Sequence, residues 1–176
     1  IALDEANQLA CRLSAERADA AEHLGHAIVD ELHHLNMPSA QFAVKVTAAP
    51  RSCSGDDEIA FFITPNRGEK EIDIRQHASG GEIARIFLAI QTLLVDKARV
   101  PTLLFDEIDA NIGGKTALSV AQKLRQIGSR RQVIAITHFA QVAKLAHHHY
   151  AIAKREIDGR THTVVTKLQA ASDIEA

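Results

Sequence analysis

A chain of 176 residues with 46% apolar side chains can pack one domain, or a compact lobe with an appended element. Its net charge of -2 argues against a broadly basic nucleic-acid surface, though not against a local patch. Two cysteines, Cys11 and Cys53, with no CxxC pair, suggest neither a disulfide framework nor a structural zinc site. No apolar run approaches the ~20 residues that cross a bilayer. No charged-then-apolar leader is seen, so the expected compartment is a reducing cytosol. The opening at Ile1, in mid-pattern, reads as an excised piece.

Residues 2–35 place Leu9, Leu13, Ala20, Leu24, Ile28, Leu32 and Leu35 near helical spacing, which predicts a long amphipathic helix closed by Asn36-Met37-Pro38. Phe42, Val44 and Val46 alternate with polar residues over 41–47, as do Ile59, Phe61 and Ile63 over 58–64. Two strands joined by a turn segment at 50–57 are predicted there. Asn66 and Gly68 mark the next turn. From Ser79 the period changes, and Ile83, Ile86, Phe87, Ile90 and Leu94 predict a helix with one buried face. Short buried strands follow at 102–105 and 133–136, separated by a helix bearing Ala117, Val120, Ala121 and Leu124. A short helix at 139–146 and a hairpin turning at Asp158-Gly159 complete the chain. Buried strands alternating with helices favour a parallel sheet core.

Three segments carry chemistry. Ser79-Gly80-Gly81-Glu82 reads locally as a capping box, with Ser79 as N-cap and Glu82 reaching back. A cap does not ask for two glycines, which are poor helix formers. Bare backbone at a helix start instead lets a large anion approach free N–H groups, so Ser79, Gly80 and Gly81 are candidate phosphate contacts. Asp106 and Glu107 end an apolar strand, where a parallel sheet presents ligands. Asp106 is the candidate magnesium ligand and Glu107 the candidate base that polarises the attacking water. Asp109 makes three carboxylates in four positions, a concentration that a cation would offset. His138 closes the second buried strand and is placed to hydrogen-bond a terminal phosphate.

Other features carry less. Gly114-Lys115-Thr116 resembles the end of a phosphate loop, but Asp109 stands where that pattern needs its first glycine. The ten histidines, among them His23, His26, His33, His34 and His147–His149, lack compact metal-ligand spacing. Arg125, Arg130 and Arg131 suit a DNA backbone or a solvated helix end equally well.

Taken in order, Ser79–Glu82 resembles the signature motif of ABC-type ATPases, Leu103–Glu107 their Walker B strand, Asp109 the D-loop aspartate and His138 the switch histidine. The fuller wording is Ala78-Ser79-Gly80-Gly81-Glu82-Ile83-Ala84-Arg85, Phe105-Asp106-Glu107-Ile108-Asp109 and Thr137-His138-Phe139-Ala140-Gln141-Val142-Ala143. It is similar to the SMC-like ATPases of bacterial DNA repair, as are the Asn66-Arg67-Gly68-Glu69 turn and the Leu35-Asn36-Met37 helix end. In this family the step after Asp109 is usually small, and Asn111 departs from that pattern.

The resemblance implies an α/β fold: the C-terminal lobe of an ABC/SMC-type P-loop ATPase head, with a parallel-strand core, helices, β-hairpins and an N-terminal coiled-coil stub. Residues 1–36 would be the end of the returning coiled-coil helix and 37–176 the lobe, with a tail cut short at Asp173–Ala176. The implied cofactors are ATP and Mg2+, with Glu107 and His138 catalytic, Asp106 on the metal, and Ser79, Gly80, Gly81, Glu82 and Asp109 on the nucleotide. The implied partners are the protein's own N-terminal lobe with Walker A, a second head in a homodimer, and DNA as ends or single strands, without a membrane. The implied activity is ATP hydrolysis between dimerised heads in double-strand break repair and recombination, in the bacterial cytoplasm at the nucleoid. The lobe alone, lacking Walker A, would be inactive. An alternative is an ATP-dependent clamp or DNA-end bridge in which hydrolysis is secondary. A third reading is a self-contained GTPase or ATPase using Lys115.

Overall fold

The computed structural model describes residues 2–76, 80–97, 100–110, 112–157 and 159–169. They form two compact units, 1–94 and 95–176. The second half of the first helix is built into the first unit.

That helix, α1 (Ala2–His34), buries Ala21, Gly25, Ile28 and Leu32. Residues 2–9 at its start are exposed, Leu9 by 60% although it continues the predicted stripe. The helix ends where expected, and the end has a clear cause. Asn36 adopts φ +60, which an asparagine tolerates better than most residues. The N–H of Met37 then reaches the carbonyl of Leu32, and that of Asn36 the carbonyl of His33. Leu32 and Met37 are both buried beneath this cap.

Strands β1 (Gln41–Ser52) and β2 (Gly55–Thr64) form an antiparallel hairpin longer than alternation suggested, with β3 (Ile72–Asp73) added beside β2. Phe42 and Ile63 pair in the core, whereas Val46 pairs with Ile59, which is 41% exposed. Polar anchors hold the far end. The Asp57 carboxylate accepts from Ser14 Oγ at 2.7 Å and pairs with Arg17 Nη1 at 2.9 Å, while Arg17 Nη2 also donates to the Ser54 carbonyl. The turn glycine, Gly55, has φ +107, and a Cβ there would stand 3.0 Å from Arg17 Nη1 and Leu13 Cδ2. Gly55→Ala should lower stability by about 1–3 kcal/mol, read as a fall in thermal midpoint; an unchanged midpoint would show that the hairpin tip is dispensable.

Helix α2 (Gly80–Leu93) closes the first unit. The sequence stripe predicted Phe87 inside. Phe87 is instead 38% exposed, and the buried row is Gly81, Arg85, Leu88, Ala89 and Thr92, joined by Ile86. Two apolar rows run along this helix, and periodicity cannot say which row a neighbour covers.

In the second unit, β4 (Thr102–Phe105) and β5 (Gln132–Ala135) pair in parallel, with α3 (Gly114–Gly128) between them in sequence. Helix α3 buries Thr116, Ala117, Val120, Ala121, Leu124 and Ile127, a regular 3.6-residue stripe. Leu103 and Phe105 are buried, whereas Leu104, Ile134 and Ile136 on the alternate face are 47–63% exposed. A one-turn helix α4 (Ala140–Ala143) leads to the hairpin β6 (His149–Ile157) and β7 (Arg160–Leu168). The hairpin turns at Gly159, φ +72; Asp158 lies outside the described residues. Among the described residues no helix is long and apolar enough to cross a membrane.

Candidate active site

Parallel pairing is what assembles the site. Phe105 stands opposite Ala135, and the Ile136 N–H donates to the Phe105 carbonyl at 2.9 Å. Both strands therefore end at one edge, and the residues following them, Asp106–Asp109 and Thr137-His138, emerge together. Four of the predicted site residues are thus brought together: Asp106, Glu107, Asp109 and His138.

Their environments differ. Asp106 and Glu107 are exposed. Glu107 has φ +54, a left-handed conformation that a side chain with a Cβ rarely adopts. Two hydrogen bonds hold it there: its N–H donates to Asp106 Oδ1 at 3.0 Å, and its carbonyl accepts from the Ala110 N–H at 3.0 Å. Backbone strain of this kind gathers at functional sites. It was not legible in the sequence, because nothing in a Phe-Asp-Glu-Ile string marks a positive φ.

Asp109 is 2% exposed. Its carboxylate accepts from the Thr137 hydroxyl and from the His138 N–H at 3.1 Å, and His138 Nδ1 lies 3.4 Å from its other oxygen. The Thr137 oxygen in turn accepts the Phe139 N–H at 3.0 Å. Sequence reasoning passed over Thr137, although a hydroxyl before a strand-end histidine is a usable signal for such a turn. The His138 side chain is 69% exposed and its ring lies 4.5 Å from that of Phe139.

The glycine-bearing helix start belongs to the first unit. Gly80 is exposed and Gly81 buried in the first turn of α2, with Glu82 half-buried. Ser79 lies outside the described residues, as does Asn111. One turn further on, Arg85 is 7% exposed; burial lowers its pKa from the ordinary arginine value, and Glu82 opposes that shift.

The competing features resolve differently. Gly113 is the N-cap of α3 and Lys115 is exposed in the first turn. Arg125, Arg130 and Arg131 have partners within their own unit: the Leu145 carbonyl, Asp96 and the Val95 carbonyl. His149 Nε2 donates to the Ala143 carbonyl at 2.8 Å. Among the described residues no group of three or more His, Cys, Asp or Glu side chains is arranged to hold a metal by itself. Asp106 is exposed and its Oδ1 accepts the Glu107 N–H, so a single carboxylate, which magnesium commonly completes with phosphate oxygens and water, stands at this edge.

This fold is that of an SMC ATPase head. The Smc head domain with a coiled coil and joint from Pyrococcus yayanosii matches 90% of the chain at TM-score 0.61 and 22% identity, using 29% of its own length. An SMC ATPase studied for ATP-driven dimerization and DNA-stimulated activation matches 92% of the chain and 94% of its own, at TM-score 0.51 and 22% identity. No family model matches. The chain belongs to the RecN family of bacterial DNA repair proteins. It is 37% identical to DNA repair protein RecN of Haemophilus influenzae over 99% of its length, and 42% identical to that of Rickettsia prowazekii over 93%. It spans 32% and 30% of those relatives, about a third of their length.

Proposed function

We propose that this chain supplies the signature helix and the hydrolytic sheet edge of a two-headed, SMC-like ATPase that acts in DNA double-strand break repair and recombination, in the bacterial cytoplasm at the nucleoid. The observation that carries the reading is the shared edge of β4 and β5, where Asp106, Glu107 and His138 emerge together while no G-x-x-x-x-G-K-[ST] loop occurs in the 176 residues. Such an edge can act on a triphosphate but cannot grip one alone. The exposed apolar face of Leu104, Ile134 and Ile136 supports a second lobe, carrying Walker A, packed there. The exposed start of α1, residues 2–9, suits a returning coiled-coil strand in the same way.

In this reading Asp106 would hold Mg2+, which supplies charge neutralisation on the phosphates when bound. Glu107 takes a proton from the attacking water, and His138 offers its ring to the terminal phosphate. Gly80 and Gly81, with Ser79 and Glu82, meet the phosphates of a nucleotide gripped by the opposite head, so two heads close over ATP. Turnover would then open and close a dimer that holds DNA ends or single strands.

The isolated chain should bind Mg-ATP with Kd weaker than ~1 mM, whereas the whole protein binds it well below that. Titration calorimetry of both checks this. Tight binding by the chain alone would overturn the split-site reading and restore the loop at Lys115.

A further inference from the structure

Asp109 is the most enclosed of the clustered carboxylates, and everything it touches in the second strand-end turn leads to His138. A carboxylate removed from water keeps its charge only where donors replace the lost hydration. Here the donors are the Thr137 hydroxyl and the His138 N–H, with His138 Nδ1 facing the remaining oxygen at 3.4 Å. All three come from two consecutive residues after β5. We infer that Asp109 is the positioning residue for His138, acting through that side chain rather than on the nucleotide.

The chemistry follows from what each atom can do. An ionised carboxylate only accepts, so its oxygen 3.4 Å from Nδ1 favours the ring tautomer with hydrogen on that nitrogen. With hydrogen on Nδ1, Nε2 is the remaining ring nitrogen of a side chain that is 69% exposed. It accepts when the ring is neutral and donates when the ring is cationic. The backbone bond sets where the ring begins, and the Nδ1 contact sets how it is turned. Without Asp109 the ring can rotate and exchange tautomers, and its reach to a phosphate becomes a matter of chance orientation.

The same residue ties the two halves of the edge together. Asp109 lies inside the turn closed by the Ala110 N–H and the Glu107 carbonyl, two positions from Glu107. A displacement of the Glu107 turn is therefore passed to His138 through one buried side chain. This inference rests on the proposed roles of Glu107 and His138, but its test separates from theirs.

The test uses the full-length protein and the variants Asp109→Asn, Asp109→Ala, His138→Ala and the double Asp109→Ala/His138→Ala. Each Asp109 variant should lower kcat by about 10–100-fold, the range seen when an outer partner of a functional histidine is lost, with KM for ATP within about twofold. The double variant should fall no further than His138→Ala alone, because the two changes remove one function. Losses that multiply in the double variant would overturn the inference, since they would place Asp109 on an independent path. If Asp109→Ala fails to fold, Thr137→Val against Thr137→Ser carries the same comparison, the serine restoring turnover and the valine not. Equal rates for those two would also overturn it.

A readout apart from activity is the 15N signal pattern of the His138 ring in histidine-labelled full-length protein, assigned by its loss in His138→Gln. Wild type should show hydrogen on Nδ1, and Asp109→Asn should show mixed tautomers. An unchanged pattern in Asp109→Asn would refute the positioning role. Full turnover in His138→Ala would instead remove His138 from the proposed site while leaving the ring pattern to decide on Asp109.

Discussion

Glu107→Gln in the whole protein should lower steady-state ATP turnover by about 10²–10⁴-fold, the range that a positioned general base supplies. Glutamine keeps the shape and the hydrogen-bond reach of glutamate but cannot take a proton from water. ATP binding and head pairing should therefore persist, and the paired state should live longer because its exit through hydrolysis is closed. The backbone makes this substitution a clean one. Glu107 sits at φ +54, held by Asp106 Oδ1 and the Ala110 N–H through its own main chain, and neither bond involves the side chain that is changed. Turnover by coupled assay and dimer lifetime by size-exclusion chromatography with ATP check the two halves. Full turnover in Glu107→Gln would remove this residue as the base. Lost turnover with intact DNA repair would favour the clamp in which hydrolysis is secondary.

Gly80→Glu should abolish ATP-dependent head pairing while leaving the folded lobe as stable as before. Gly80 is exposed in the first turn of α2, where a glutamate is a better helix former than glycine and complements the positive end of the dipole. On local grounds alone the change is neutral or stabilising by a few tenths of a kcal/mol to about 1 kcal/mol. Against a triphosphate it sets a carboxylate where bare backbone is proposed to face anionic oxygens. Stability and function therefore move apart, which a purely structural role for the glycine pair does not allow. Thermal denaturation and light scattering with ATP read the two effects; pairing that survives in Gly80→Glu would place the phosphates elsewhere.

The strands and the shared edge were legible because a short apolar run bounded by turn residues reads as a strand, although one face of each, with Leu104 and Ile134, is exposed rather than buried, and polar residues that close two such runs in a parallel sheet must meet. Asp106 and His138 follow from that rule alone. What Asp109 does was not legible, since a carboxylate three positions after another reads the same in a string whether it faces water or is enclosed by Thr137 and His138. The hairpin 41–52 and 55–64 exceeded the predicted strands for a related reason. Its far half is held by Asp57 to Ser14 and Arg17 of α1, contacts some 40 residues apart that leave no alternation behind. Leu9 shows the converse: it keeps the apolar stripe of α1 but is 60% exposed among the described residues.

The central proposal is that one head's glycine-flanked helix serves the nucleotide that another head's acidic edge works on. Mixing two inactive full-length variants, Gly80→Glu and Glu107→Gln, tests it most directly. In a mixed dimer one interface then pairs an intact Glu107 edge with an intact Gly80 helix, while the other interface carries both defects. Each mixed dimer then holds one working site of two, so turnover should rise with the amount of mixed dimer formed, towards about half the wild-type rate per mixed dimer, from two proteins that separately show almost none. If mixing restores nothing although mixed dimers form, both residues serve the same nucleotide within one head, and the shared-site account fails.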